Sequence, residues 1–338
     1  MSEYAHLSEP DPEIAPHFGA LPSIPLDAPV QSLRDFFSGP MIEMINSKLG
    51  PHLPPSSDYN VTDHQVDVGG GVKVTARSII PTPRDGEDGT FPILFWMHAG
   101  GWVLGDLQLD DYRLKILSVA LRLSVVNFDY RLAPENPFPA AVDDSFAGLK
   151  FVAAHPEKFS ASLKKGFIIG GASAGGGLTA VLAHLARDDP FFKDKPLTGQ
   201  IFNYPVTVHP DAVPEKYKSS LLSYEQNKDA PVLGKGQMLR FFDLYKAPPS
   251  DTKISPLLLE SHKGLPPAHF QVCGLDPLRD EALLYEKVLK EAGVPTKLEV
   301  YPGTPHGFEG AFFDSKQGIK FREDFQAGLK WLLQKGQA

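Results

Sequence analysis

The sequence predicts a mostly parallel α/β sheet covered by helices on both faces, and three observations predict it. Short apolar runs alternate along the chain with Ala/Leu-rich stretches of helical character, the signature of strands joined by crossover helices. The 338 residues, 42% hydrophobic and 22% charged, suffice for one large core plus an accessory lid. A single polar, proline-bearing stretch, Val206 to Ile254, interrupts the alternation as an inserted lid would.

Ten prolines fall within the first 55 residues. Proline has no N–H to give a sheet, so this lead is expected to be extended, with short helices near Val30–Phe37 and Met41–Leu49. Val66–Val68 and Val72–Ile80 flank Gly69-Gly70-Gly71 and read as an antiparallel pair. Beyond them the expected strands are Ile93–Met97, Ser124–Phe128, Gly166–Ile169, Gln200–Tyr204, His269–Cys273 and Lys297–Tyr301. The expected helices are Tyr112–Leu123, Ala140–Ala154, Gly176–Ala186, Arg279–Ala292 and Lys320–Leu333, with Gly236–Tyr245 inside the insertion.

The formal net charge is −8 and no Lys/Arg cluster appears, which argues against nucleic acid or an anionic membrane as partner. The one cysteine, Cys273, allows no internal disulfide and fits a reducing compartment. The first residues show no secretory signal, and apolar runs such as Ile93–Met97 are far shorter than the roughly 20 residues of a membrane helix. A soluble, cytoplasmic protein is expected. With no helical His-x-x-x-His pair and no Cys/His cluster, neither a metal nor another cofactor is expected. Gly69-Gly70-Gly71 lacks the Lys-Ser/Thr that a phosphate loop needs.

The most informative segment is Gly171-Ala172-Ser173-Ala174-Gly175, placed between an apolar strand and a helical stretch. A serine on a sharp strand-to-helix turn is a nucleophile elbow, and its glycines relieve collisions that a Cβ would cause there. His98-Ala99-Gly100-Gly101-Trp102 follows the strand ending at Met97, and the amides of Gly100, Gly101 and Ala174 are candidates for an oxyanion hole. His306, just past the last expected strand, is the candidate base, because ligands of open α/β sheets lie outside the carboxyl ends of the strands. Asp276, in the turn after the strand holding Cys273, is the candidate acid. Its competitor Asp280 falls one turn into the next helix and is expected to serve that helix's start. The order Ser173, Asp276, His306 is that of the α/β-hydrolases.

These residues resemble the hormone-sensitive-lipase family of α/β-hydrolase carboxylesterases, with a fungal cast. The family's HGGGW stands here as His98–Trp102, its DYRLAPE as Asp129–Glu135, and its GDSAGG as Gly171–Gly176. Ser255-Pro256-Leu257, Asp276–Glu281 and His306-Gly307-Phe308 follow in order. The resemblance runs from about Phe91 to the C-terminus. It implies an eight-stranded sheet and a helical cap built from the N-terminal segment and the insertion. The expected division is then a cap segment at 1–60, core at 61–205, cap insertion at 206–254 and core at 255–338. It also implies Ser173, Asp276 and His306 as the triad, a small-molecule ester of short to medium acyl length as substrate, and a homodimer through the sheet edge. Trp102, Phe241, Phe242 and Phe308 are the aromatic residues expected around the substrate.

Two positions depart from the family pattern, Ala99 for the first glycine of HGGG and Ala172 for the aspartate before the nucleophile. Neither removes a reacting atom. The first is expected to restrict the loop, the second to loosen the site or alter its pH optimum. A non-catalytic binder of the same fold is the rival reading, and the presence of all three triad residues weighs against it. Amide hydrolysis is a third reading, which needs stronger protonation of the leaving group.

Overall fold

A computed structural model describes residues 3–21 and 25–336. Pro22, Met1 and Ser2, which entered the sequence reading, lie outside the described residues. The strands are β1 Tyr59–Gly69, β2 Val72–Pro81, β3 Ile93–Met97, β4 Ser124–Phe128, β5 Phe167–Ala172, β6 Gly199–Asn203, β7 Ala268–Leu275 and β8 Thr296–Pro305. They form one sheet in the order β1-β2-β4-β3-β5-β6-β7-β8. β2 is antiparallel to both β1 and β4, and every other pairing is parallel. This is the α/β-hydrolase fold with its eight-stranded, mostly parallel sheet.

The helices are α1 Val30–Phe36, α2 Ile42–Leu49, α3 Gln108–Leu121, α4 Ala140–Ala154, α5 Ala174–Asp188, the one-turn α6 Glu215–Lys218 and α7 Ser223–Gln226, α8 Lys235–Tyr245, α9 Arg279–Glu291, the one-turn α10 Phe308–Ala311, and α11 Lys316–Lys335. Strand side chains alternate between faces, so β3 serves two cores at once. Leu94 and Trp96 meet Leu114 and Leu117 of α3 and Phe325 and Leu329 of α11. Ile93, Phe95 and Met97 meet Val142 and Leu149 of α4 and Leu178 and Val181 of α5. A third cluster joins Phe202, Phe270 and Val272 to Ala282, Leu283 and Leu289 of α9.

The central strands fall within a few residues of expectation. β1 does not, because it starts at Tyr59 and not at Val66. Its first seven residues are polar or exposed and pair with β2 through the backbone, from Tyr59 opposite Pro81 onward, and through polar side chains such as Asp63 with Arg77 and His64 with Ser78. Such an edge strand needs no apolar stripe, so hydropathy finds only its buried end. α1 and α2 are continuous through a π-helical turn, Phe37–Met41, that accommodates Pro40. No helix among the described residues is long and apolar enough to cross a membrane.

Candidate active site

β5 ends at Ala172 and α5 begins at Ala174, so Ser173 alone makes the turn. It holds φ 53° and ψ −115°, a left-handed backbone that costs a non-glycine residue on the order of 1–3 kcal/mol. The neighbours explain why it persists. A Cβ on Gly171 would lie 2.4 Å from the Gly175 carbonyl carbon, and one on Gly175 would lie 2.1 Å from the Met97 oxygen. The Ser173 N–H donates to the Asn203 carbonyl at 2.8 Å, tying the turn to β6.

The structure brings Ser173, His306 and Asp276 together. His306 Nε2 lies 2.9 Å from Ser173 Oγ, and its Nδ1 lies 2.7 Å from Asp276 Oδ2. β5, β7 and β8 deliver these residues from their carboxyl ends. Asp276 is fully buried, and its other oxygen accepts from the Leu278 N–H at 2.8 Å. Asp280 goes elsewhere. Its Oδ2 accepts from the N–H groups of Leu222 and Ser223, both at 2.8 Å, while Oδ1 takes Arg279 Nε at 2.7 Å. It therefore holds the start of α7 in the insertion, not the start of its own helix as its position suggested.

Gly100, Gly101 and Trp102 follow β3 with φ values of 128°, 61° and 62°. Among the described residues, no acceptor meets the N–H groups of Gly100, Gly101 or Ala174. The last of these opens α5, where the helix dipole adds positive character. The loop is braced from beneath. The His98 ring stacks on Tyr130 at 4.3 Å, and the Tyr130 hydroxyl donates to the His98 carbonyl at 2.9 Å. The Ala133 N–H donates to Trp102 O at 2.9 Å. Arg34 of α1 reaches down to the Val103 and Ala133 carbonyls and to Glu135.

A cavity of about 290 Å³ opens over Ser173 and His306. Trp102 and Phe241 line it, as do Phe37 and Phe313. Phe242 and Phe308 do not. Phe242 packs behind Trp102 at 5.6 Å, and Phe308 is buried against Tyr301 and Phe321. In a two-residue aromatic run on a helix, one ring can face the ligand while its neighbour attaches the helix.

The wall also carries residues that the sequence reading passed over. The edge-on Tyr204 ring sits 4.6 Å from the His306 ring, and its hydroxyl donates to Glu309 Oε1 at 2.6 Å. Arg113 lies between Glu309, at 3.5 Å, and Asp110, which also accepts from Trp96 Nε1 at 2.7 Å. Burial pushes the Glu309 carboxyl above its ordinary range, and Arg113 opposes the shift. The only sequence signal was spacing: Glu309 is one turn past His306, and Asp110 and Arg113 are one turn apart. No group of three or more potential metal ligands occurs among the described residues.

The alpha/beta hydrolase fold family model matches residues 94–310, and the chain belongs to that family. It is an esterase-type hydrolase by kinship. It is 39% identical over 292 residues to the versiconal hemiacetal acetate esterase of Dothistroma septosporum, spanning 86% of each chain. It is also 39% identical over 285 residues to an AB hydrolase superfamily protein of Schizosaccharomyces pombe, covering 83% of this chain and 82% of that one. The crystal structure of vibralactone cyclase superposes with a TM-score of 0.94 at 44% identity, over 98% of this chain and 97% of that one.

Proposed function

We propose that the protein hydrolyses short to medium acyl esters through an acyl-enzyme on Ser173. The observation that carries this reading is the continuous hydrogen-bonded line from Asp276 through His306 to Ser173 Oγ. His306 Nε2 takes the Oγ proton as Oγ attacks the ester carbonyl carbon, and Asp276 holds the tautomer in which Nε2 is free to accept. The oxyanion forms toward the amides of Gly100, Gly101 and Ala174, each such donor being worth about 3–4 kcal/mol in the transition state. His306 then hands the proton to the leaving alcohol, and water repeats the cycle to release the acid. A cavity of about 290 Å³ suits a small acyl group better than a long one.

A fluorophosphonate should label Ser173 in the folded protein, and Ser173→Ala should abolish both labelling and turnover. Rates over p-nitrophenyl esters from acetate to palmitate should peak at or below about eight carbons. An unlabelled Ser173 in folded protein would return the chain to the non-catalytic reading.

One observation favours a second outcome of the same intermediate. The likeness to vibralactone cyclase extends over nearly the whole of both chains. An alcohol carried on the acyl chain itself would attack the Ser173 ester in place of water and leave as a lactone, with the proton passing to His306. Product analysis with a hydroxyacyl ester separates lactone from free acid.

A further inference from the structure

Four formally charged side chains line the cavity: Asp110, Arg113, Glu309 and Arg322. The first three are committed to one another through the contacts described above. Arg322, on α11, is not. Its Nη1 donates to the Phe313 carbonyl, and its guanidinium carbon lies over the Phe313 ring, 3.5 Å from the centroid. No carboxylate of the described residues comes within ion-pair distance of it, and the nearby Asp314 pairs with Lys48 instead, at 3.5 Å. Burial lowers its proton affinity, and the more distant Asp314 and Glu323 only partly oppose this. A guanidinium has five N–H donors in a rigid fork, and most of these are unused.

The surroundings point the same way. The ring of His52 is 5.2 Å from that of Phe313, on which Arg322 lies. Gln326, one turn along α11, lines the cavity beside Arg322. Ile45 and Leu49 of α2 supply apolar wall to the same cavity. The chamber is thus largely apolar, and among the described residues Arg322 is the cation of its wall that no carboxylate pairs with.

We propose that Arg322 is the anion-binding subsite of the substrate cavity, and that the preferred substrate is an ester bearing a second, ionised carboxylate. A free edge of the guanidinium receives that carboxylate, and the contact with Phe313 holds the head group in place. The inference rests on the acyl-enzyme reading above, because the second carboxylate matters only when the ester carbonyl sits at Ser173.

Two matched pairs of esters test it. One carries the charge on the acyl side, p-nitrophenyl monoglutarate against p-nitrophenyl valerate. The other carries it on the alcohol side, 4-butyryloxybenzoate against phenyl butyrate. In one pair, the charged-to-neutral ratio of kcat/KM should fall about tenfold or more in Arg322→Met, mainly through KM. Arg322→Lys should recover part of the ratio. In the unmodified protein the same ratio should fall as salt is raised toward about 500 mM, a test that needs no variant. Calorimetry of monomethyl glutarate with Ser173→Ala, with and without Arg322→Met, reads the subsite in the absence of turnover. Ratios unmoved by both salt and substitution in both pairs would overturn the subsite while leaving the esterase intact. Failure of even the neutral esters, with Ser173 unlabelled, would instead overturn the acyl-enzyme reading.

Discussion

Asp276 and Asp280 are both buried carboxylates in one turn of chain, yet they do different work. Asp276 faces His306, and Asp280 faces Arg279 and the start of α7. Asp276→Asn should therefore cost about 10⁴-fold in kcat with little change in melting temperature, since it spoils the imidazole tautomer and leaves packing alone. Asp280→Asn should do the opposite. It leaves the fully buried Arg279 without its charge partner, a loss of roughly 3–5 kcal/mol, which thermal unfolding would register while kcat is largely kept. The residues of Ser173, Asp276 and His306 were legible in the sequence because each directly follows an apolar strand. Glu309, Arg113 and Asp110 were not, because a charge on a helix reads as a solvated face until the neighbouring helix is in place, and Tyr204 reads as the last apolar residue of its expected strand. Their mutual pairing exists only in three dimensions.

Among the elements, the N-terminal lead belongs to the active site as much as the inserted helices do. It runs past the carboxyl-terminal part of β8 and the start of α9: the Asp11 N–H donates to Gly303 O at 3.2 Å, and Arg279 Nη1 donates to Ser8 Oγ at 2.6 Å. The fit has no slack. Gly303 has φ 69°, and a Cβ there would lie 2.3 Å from both the Glu9 oxygen and the Asp11 nitrogen. Gly303→Ala should therefore lower stability by on the order of 1–3 kcal/mol and loosen the lead. Increased proteolysis near residues 8–14, measured beside kcat, would show it. Proline density marked this lead correctly as no part of the sheet. Its path across β7 and β8 was invisible, because backbone contacts at glycines leave no hydropathy signal.

For the molecule as a whole, the buried histidines His184, His262 and His269 contribute strongly to its response to acid. His184 Nδ1 must donate to the Ala180 carbonyl at 2.8 Å, so its Nε2 accepts from His262 Nδ1 at 3.0 Å, and both rings are neutral. Burial holds both near pH 4, below the ordinary 6.5. His269 finds no partner for either ring nitrogen and is pushed down to about 3. Unfolding restores the ordinary value, so between about 6.5 and 4 these two histidines bind more protons in the unfolded chain than in the folded one. The histidines' share of stability should be constant above neutrality and should fall as pH drops through this window, continuing toward 3 for His269, while Glu281 and Glu309, raised by burial, act in the opposite sense. Denaturant midpoints at pH 7.5, 6, 5 and 4 would measure it, and His269→Gln should flatten the acidic end of the curve.

The contact between Phe241 and Gly101 has a reach beyond the shape of the cavity. A Cβ on Gly101 would lie 2.5 Å from the Phe241 ring, and Trp102 stacks on Tyr245 at 4.7 Å with the rings 7° from parallel. Helix α8 is thus packed directly on the loop that carries the Gly100 and Gly101 amides. Any outward swing of α8 that widens the doorway also withdraws the support of that loop. The position of α8 and the conformation of the Gly100–Trp102 loop are thereby mechanically linked.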